Sequence, residues 1–318
     1  MTERVGIVGL GLMGQALAHS MLASGFEVQG FDVDPIRMDQ FREQGGMPAP
    51  SATAVASGVN FMLTSLPTSE IVRAVVFGPD GVAEGASPGM LFADTTTSRP
   101  QDSQQLGSEL AGRGIRFLDA AVSGTSTMAW KKDLVIVAGG ADADFDACRR
   151  YFSAFSRAAH HMGPVGAGAL TKLIVNLVLN GNRMAMAEGM LLGTKAGVDG
   201  SVLLKVLQDG ASGSKTMVDK GPKMLHGDYT PEGQTQISLK DSRLVLEQGA
   251  LYSSPMFITS LWSQLQQAAA AQGRAEQDSV SYFEVLRQMA GLPMRPGTVT
   301  PPSEPAAATG GSGHPTPP

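Results

Sequence analysis

The sequence predicts an α/β chain in two parts: an N-terminal doubly wound sheet followed by an all-α C-terminal domain. Three observations carry that expectation. Short β-rich runs alternate with helical stretches through the first half, as in parallel strands joined by right-handed crossovers. A glycine triplet follows the first of these runs directly. After Gly163-Pro164 the strand signals stop and only helical periodicity remains.

Arg4–Val8 reads as the first strand and Met13–Ser24 as the helix behind the glycine turn. Glu27–Phe31 is the second strand. Asp34 caps the next helix, Pro35–Glu43, whose proline suits a first helical position. Val59–Ser65, Met90–Asp94 and Arg116–Asp119 continue the strands, with helices at Glu70–Phe77 and Gln101–Ala111 between them. Leu134–Ala138 adds a strand before the Gly139-Gly140 turn, and Asp144–Ser153 is the last helix of a domain spanning residues 1–163.

From Ala167 a long helix runs to Ala196. Leu177, Leu179, Met184, Met186, Met190, Leu191 and Leu192 make it too apolar for exposure on most sides, so it belongs in a core or a subunit interface. Gly200–Gln208, Ser214–Gly221, Gln236–Gln248, Met256–Gln272 and Val280–Ala290 complete an all-helical domain at residues 164–290. Residues 291–318 are rich in proline, glycine, alanine and threonine. They cannot bury enough surface to offset the entropy of ordering and read as a disordered tail.

A chain of 318 residues is long enough for two cores, and 42% hydrophobic with 17% charged residues is ordinary for a soluble globular protein. A net charge of -5 speaks against a general nucleic-acid binder, which needs a basic face. No apolar run is long enough for a membrane span, and the first residues lead into a glycine turn rather than a signal peptide. The lone Cys148 excludes an internal disulfide and suits a reducing, cytoplasmic setting. No metal-ligand spacing is present. His160 and His161 read as strand-end or linker residues.

Gly9-Leu10-Gly11-Leu12-Met13-Gly14 has the context that makes a glycine motif specific: a strand before it and a helix after it. Gly9 permits the tight turn, Gly11 lets backbone approach a pyrophosphate, and Gly14 lets the helix pack closely on the strand. The helix N-terminus favours the anion. This is a Rossmann dinucleotide site by expectation. Asp32 ends the second strand, where its carboxylate can take the ribose hydroxyls and repel a 2′-phosphate. NAD is therefore the expected cofactor, with NADP possible. Arg37 could meet a 2′-phosphate, against the competing reading of a solvated helix position. Thr64-Ser65-Leu66-Pro67 and Asp94–Pro100 should lie at the carboxyl edge of the sheet, where threonine hydroxyls either bond the nicotinamide ribose or cap the following helix.

Lys172 follows Gly166-Ala167-Gly168-Ala169-Leu170-Thr171 at the opening of the long helix, with Asn176 one turn further on the same face. A free lysine titrates near 10.4, and work at neutral pH needs it lowered by about 2 to 3 units. Burial beside the nucleotide site acts in that direction. Asp119-Ala120-Ala121-Val122-Ser123-Gly124-Thr125 follows another strand, and the amides and hydroxyls of Ser123, Gly124 and Thr125 could nest a substrate carboxylate. Lys240-Asp241 is the remaining charged pair; by local sequence alone it is ordinary helix surface.

In this order the segments resemble the β-hydroxyacid dehydrogenase family, over about residues 4 to 290. Its dinucleotide motif is similar to Gly9–Gly14, its substrate stretch to Asp119–Gly124, its catalytic helix to Gly166–Lys172 with Asn176, and its late cofactor motif to Lys240-Asp241. The resemblance implies NAD-dependent, reversible oxidation of a β-hydroxy acid to a semialdehyde or keto acid. It implies Lys172 as general acid/base assisted by Asn176, Ser123 and Gly124 on the substrate carboxylate, and Leu66, Pro67, Thr97 and Lys240 on the cofactor. It also implies a homodimer or homotetramer packed through the long helix. Three positions depart from the family pattern: Thr125 and Lys132 stand where glycines are usual, and Val175 stands before Asn176. Val175 separates the chain from the decarboxylating relatives. Trp130 and Lys132 either line an enlarged or anionic acyl pocket or form an exposed hairpin tip. Two other readings stay open: an NADPH-dependent reductase of aldehyde acids or imines, and a catalytically silent dinucleotide-binding scaffold.

Overall fold

The structure, a computed structural model, describes residues 2–295 and Gly297. Its first part is one eight-stranded sheet. The strands are β1 (Arg4–Val8), β2 (Glu27–Phe31), β3 (Met47–Pro48), β4 (Phe61–Thr64), β5 (Leu91–Asp94), β6 (Arg116–Ser123), β7 (Leu134–Gly139) and β8 (Ser156–His161). They lie in the order β3-β2-β1-β4-β5-β6-β7-β8. The order reverses between β1 and β4, which opens a crevice at the carboxyl ends of those strands.

Helices α1 (Leu12–Ala23), α2 (Pro35–Glu43), α3 (Ala52–Ala56), α4 (Ser69–Phe77), α5 (Val82–Gly85), α6 (Pro100–Ala111), α7 (Ser126–Trp130) and α8 (Asp142–Phe152) connect the strands. Both faces of the sheet are buried. Ile7, Leu63, Leu118 and Ile136 pack with Leu17 of α1 and Phe145 of α8 on one side. Val8, Met62 and Phe92 pack with Val55, Val72 and Leu106 on the other. Two covered faces explain why the central strands read as continuous apolar runs rather than alternating ones.

Two expectations are corrected. The Asp119 strand does not stop there: the apolar run Ala120-Ala121-Val122 carries it on, and pairing continues to Ser123 opposite Val135. The strands are also not all parallel, because β6 and β7 pair antiparallel. Residues 124–133 are too few for a crossover of a dozen or more, so the chain turns back beside itself. The short β3, α3, α5 and α7, and the edge strand β8, carried too little periodic pattern to be read; His160 and His161 end β8.

The second part holds α9 (Ala167–Lys195), α10 (Gly200–Asp209), α11 (Lys215–His226), α12 (Thr235–Leu251), α13 (Phe257–Ala269) and α14 (Tyr282–Met289). One wide turn (Ala270–Arg274) follows α13, and a single 3-10 turn (Ser279–Ser281) leads into α14. Met186, Ala187, Met224, Trp262 and Tyr282 form its core. The expected disordered tail lies mostly outside the described residues; within them, Arg295 is anchored by donating to Glu284 Oε1 at 2.9 Å.

Candidate functional site

The glycine turn is built for close approach. Gly9 has φ +94°, and a Cβ there would sit 2.3 Å from the Ser65 carbonyl oxygen. At Gly14 it would sit 1.9 Å from the Gly9 carbonyl oxygen. Gly11 differs: its nearest neighbour is the flexible Arg37 side chain at 3.8 Å, so its space is open to a ligand. Gly11 is the N-cap of α1, where no side chain accepts the first amides, and Leu12 and Met13 occupy that first turn with Leu12 half exposed. Uncapped amides beside open space fit a pyrophosphate.

Asp32 ties this turn to β2. Its Oδ2 accepts from the Leu10 amide at 2.7 Å and its Oδ1 from the Asp34 amide at 2.9 Å. The lone pairs left over can accept ribose hydroxyls. Arg37 is not simply solvated: its guanidinium lies 3.5 Å from Asp32 and 3.3 Å from Asp34, at the mouth of the site. Asp34 caps α2 as expected, accepting from the Ile36 amide.

The two loops at the sheet edge are bonded to each other. Thr95 donates to the Thr64 carbonyl at 2.7 Å, and the Leu66 amide donates to Thr96 Oγ1 at 3.2 Å. Thr64 donates to Asp94 Oδ1 at 2.8 Å, and burial pushes the Asp94 carboxyl up to about 6. The threonines therefore brace the loops and do not cap α6, whose N-cap is Arg99 without a side-chain bond. Lys240, far along in α12, donates to the carbonyls of Pro67 and Thr97, each at 3.0 Å. It also lies 2.9 Å from Asp241 Oδ1 in an ion pair whose angle is wrong for a hydrogen bond. Leu66, Pro67, Thr97 and Lys240 are thus brought together, and Lys240 is a clamp rather than surface decoration.

Beside this edge, Gly124, Thr125, Lys172 and Asn176 line one cavity of about 130 Å³. Ser123 ends β6 opposite Val135, directly before Gly124 and Thr125. Thr125 also caps α7 by accepting from the Met128 amide at 3.3 Å. Lys172 is half-buried, and its ammonium has no hydrogen-bond or ion-pair partner among the described residues. Burial pulls it down to about 8; Arg183 and Lys240 add to the fall, while Asp241 opposes it. Asn176 is 7% exposed and donates through Nδ2 to Asp241 Oδ2 at 3.1 Å, which turns its carbonyl oxygen away from that carboxylate.

Asp119 opens the segment that resembles the family's substrate stretch. In the fold it accepts from the Gly166 amide at 2.9 Å and the Ala169 amide at 2.6 Å, the first donors of α9. It is a cap supplied from the sheet to the helix that carries Lys172. Burial pushes its carboxyl up to about 7, opposed by those two amides. An acid in a strand, followed much later by a glycine-rich helix start, was the one available signal. Trp130 and Lys132 are not in the cavity. Trp130 packs on His19, with ring centroids 4.5 Å apart, and Lys132 donates to Ser24 Oγ at 2.7 Å. Their loop is folded onto α1, because Ala129 is fully buried and its carbonyl accepts from Ser20. Among the described residues no metal-binding cluster occurs.

Residues 4–163 match the family profile described as "NAD binding domain of 6-phosphogluconate dehydrogenase". Residues 166–286 match "NAD-binding of NADP-dependent 3-hydroxyisobutyrate dehydrogenase". The chain is 30% identical to L-threonate dehydrogenase of Cupriavidus necator, over 90% of this chain and 97% of that one. It is 28% identical to 2-(hydroxymethyl)glutarate dehydrogenase of Eubacterium barkeri, over 80% and 85% respectively. The crystal structure of 3-hydroxyisobutyrate dehydrogenase from Salmonella typhimurium superposes with a TM-score of 0.82 at 28% identity, covering 89% of this chain and 99% of that one. The glycine turn and these matches agree: the chain belongs to the β-hydroxyacid dehydrogenase family, NAD(P)-dependent enzymes that act on the CH–OH group of hydroxy acids.

Proposed function

We propose that Lys172 is the general acid/base for reversible oxidation of a small β-hydroxy acid to its semialdehyde or keto acid. The observation that carries this is an unpartnered ammonium facing a cavity at the sheet's ligand edge. In the oxidising direction the neutral amine accepts the hydroxyl proton; in the reducing direction the ammonium returns it. When bound, the nicotinamide takes up or gives back the hydride. Asn176, held by Asp241, orients the reacting oxygen. Gly124 and Thr125, with Ser123 behind them, receive the substrate carboxylate.

Asp32 supports NAD as the preferred cofactor. The Arg37 guanidinium next to it is the feature that favours NADP, so the same residue pair carries the second reading. The lone buried Cys148 supports a reducing, cytoplasmic setting, and no described helix is long and apolar enough to cross a membrane. We read the chain as two domains meeting near residues 163–164, assembling as a homodimer or homotetramer. Support for the assembly comes from the outer face of α9 and α13, where Ile174, Val178, Phe257, Ile258 and Leu261 are all more than half exposed.

The test is Lys172→Ala with NADH binding as the fold control. Turnover on a panel of hydroxy acids should fall by about 10²- to 10⁴-fold while NADH is still bound. Undiminished turnover would remove Lys172 from the chemistry. Binding of NADH by the unaltered protein, with no turnover of any panel acid, would favour the silent scaffold.

A further inference from the structure

The face of α9 that closes the cavity carries more polar groups than the proton chemistry uses. At about 100° per residue, Lys172, Asn176, Asn180 and Arg183 fall within an arc of about 80°. All four line the cavity. Lys172 and Asn176 serve the carbinol carbon. Asn180 and Arg183 lie two to three turns beyond, with no role in that step.

Arg183 is 9% exposed. Its guanidinium donates to Thr216 Oγ1 at 3.3 Å, Asn180 Oδ1 at 3.4 Å and Ser279 Oγ at 3.3 Å. These are long bonds to neutral acceptors, and burial holds its proton affinity below the usual range. Among the described residues no carboxylate forms an ion pair with it. Lys220, which lines the same cavity, is the contrast: it donates to Glu232 at 2.7 Å and to Asp278 at 2.8 Å. Asp278, Glu232 and Asp219 act on Arg183 only through space, and the first two already belong to Lys220. A buried cation is normally paired with a carboxylate. Arg183 is left open towards a cavity.

We propose that Arg183, with Asn180 beside it, is a specificity-determining anion site, so that the enzyme takes β-hydroxy acids bearing a second carboxylate remote from the carbinol carbon. This rests on reading the cavity as the substrate site of Lys172. The Arg183 Nη2 makes no hydrogen bond among the described residues and can donate to a carboxylate oxygen in a charge-assisted bond. One unpaired cation suits a single negative charge, which favours a carboxylate over a phosphate dianion. The cavity, about 130 Å³, is close in size to the roughly 150 Å³ void that holds a six-carbon ring, which suits a short diacid.

The experiment compares 2-(hydroxymethyl)glutarate with 3-hydroxyisobutyrate at saturating cofactor. The two share the carbinol carbon and its neighbouring carboxylate, and only the first has a distal one. The unaltered enzyme should prefer the diacid in kcat/KM by at least about tenfold; Arg183→Met should lower the diacid value by about 30- to 100-fold more than the monoacid value, mostly through KM. Arg183→Lys, which keeps the charge, should recover part of the preference. A measurement on the unaltered enzyme needs no variant: glutarate should inhibit monoacid oxidation at least about tenfold more tightly than butyrate. No preference for the diacid, equal inhibition by glutarate and butyrate, or equal losses on both substrates in Arg183→Met would each overturn the proposal. If monoacid turnover stays dependent on Lys172 while these comparisons fail, the anion site alone is wrong. If Lys172→Ala keeps full turnover, the underlying reading fails first.

Discussion

Lys172 is stabilised less as a cation inside the fold than outside it. Its drop from 10.5 to about 8 corresponds to a cost on the order of 3 kcal/mol, at about 1.4 kcal/mol per unit. The pH window follows from the two values. Below about 8 the lysine is charged in both states and the full cost stands; above 10.5 it is neutral in both and the cost is gone. Stability therefore rises between those limits. Lys172→Met should raise stability near pH 7 by about 1 to 3 kcal/mol and flatten that rise, which denaturant titrations across pH will show. The oxidation rate should climb to an inflection near 8, since only the free amine accepts a proton, and the reduction rate should fall through it. A variant that unfolds more easily than the parent at neutral pH, with an unmoved pH profile, would contradict the assignment.

Asp32 makes a second prediction at the same scale. Asp32→Ala leaves the Leu10 and Asp34 amides without their acceptor, so about 1 to 3 kcal/mol of stability should be lost. Arg37 is then free to meet a 2′-phosphate, and kcat/KM with NADP should gain at least about tenfold relative to NAD. Kinetics with both cofactors check this; an unchanged ratio means the carboxylate does not discriminate.

Among the elements, α9 decides whether the site is assembled. Its first turn is pressed against the sheet. A Cβ at Gly168 would lie 2.3 Å from the Asp119 carbonyl oxygen and 2.6 Å from the Gly139 amide nitrogen, neither of which can swing aside. Gly168→Ala should cost about 1 to 3 kcal/mol, and a shift of about 1 Å in Lys172 should lower kcat by about 100-fold. Gly189→Ala, in the same helix but with nothing nearer than 3.9 Å, is the control and should be neutral or stabilising. Equal behaviour of the two variants, in melting and in turnover, would show that close packing of the helix start does not matter. The start and end of α9 were legible, since Gly166 and Gly197 punctuate a long apolar run. The cap was not, because Asp119 is 47 residues from the amide of Gly166 that it receives. Local pattern also carries no information on strand direction, which explains the miss at β7.

For the whole molecule, the two opposite faces of α9 meet different surroundings. Lys172 and Asn176 face the cavity, whereas Ile174 and Val178 point to the far side, as does Gly181, where a Cβ would lie 3.5 Å from Ile258 of α13. Exposed apolar faces of this kind mark association sites. Val178→Glu combined with Ile258→Glu should convert the proposed oligomer to a monomer, with light scattering as the measurement and NADH binding intact. A parent protein that is already monomeric would end that part of the proposal.

The amino-acid order alone determined the sheet-then-helices plan, the glycine turn with the acid that ends the second strand, and the lysine helix. Each of these rests on contacts within one or two elements, so periodicity and spacing record it. Tertiary structure decided which loop met which helix: Lys240 on Pro67 and Thr97, Asp119 on α9, Arg183 left open while Lys220 was paired, and Trp130 turned onto α1 rather than into the cavity. Those outcomes depend on groups far apart in the chain competing for few buried partners, and desolvation settles that competition only once the fold has closed.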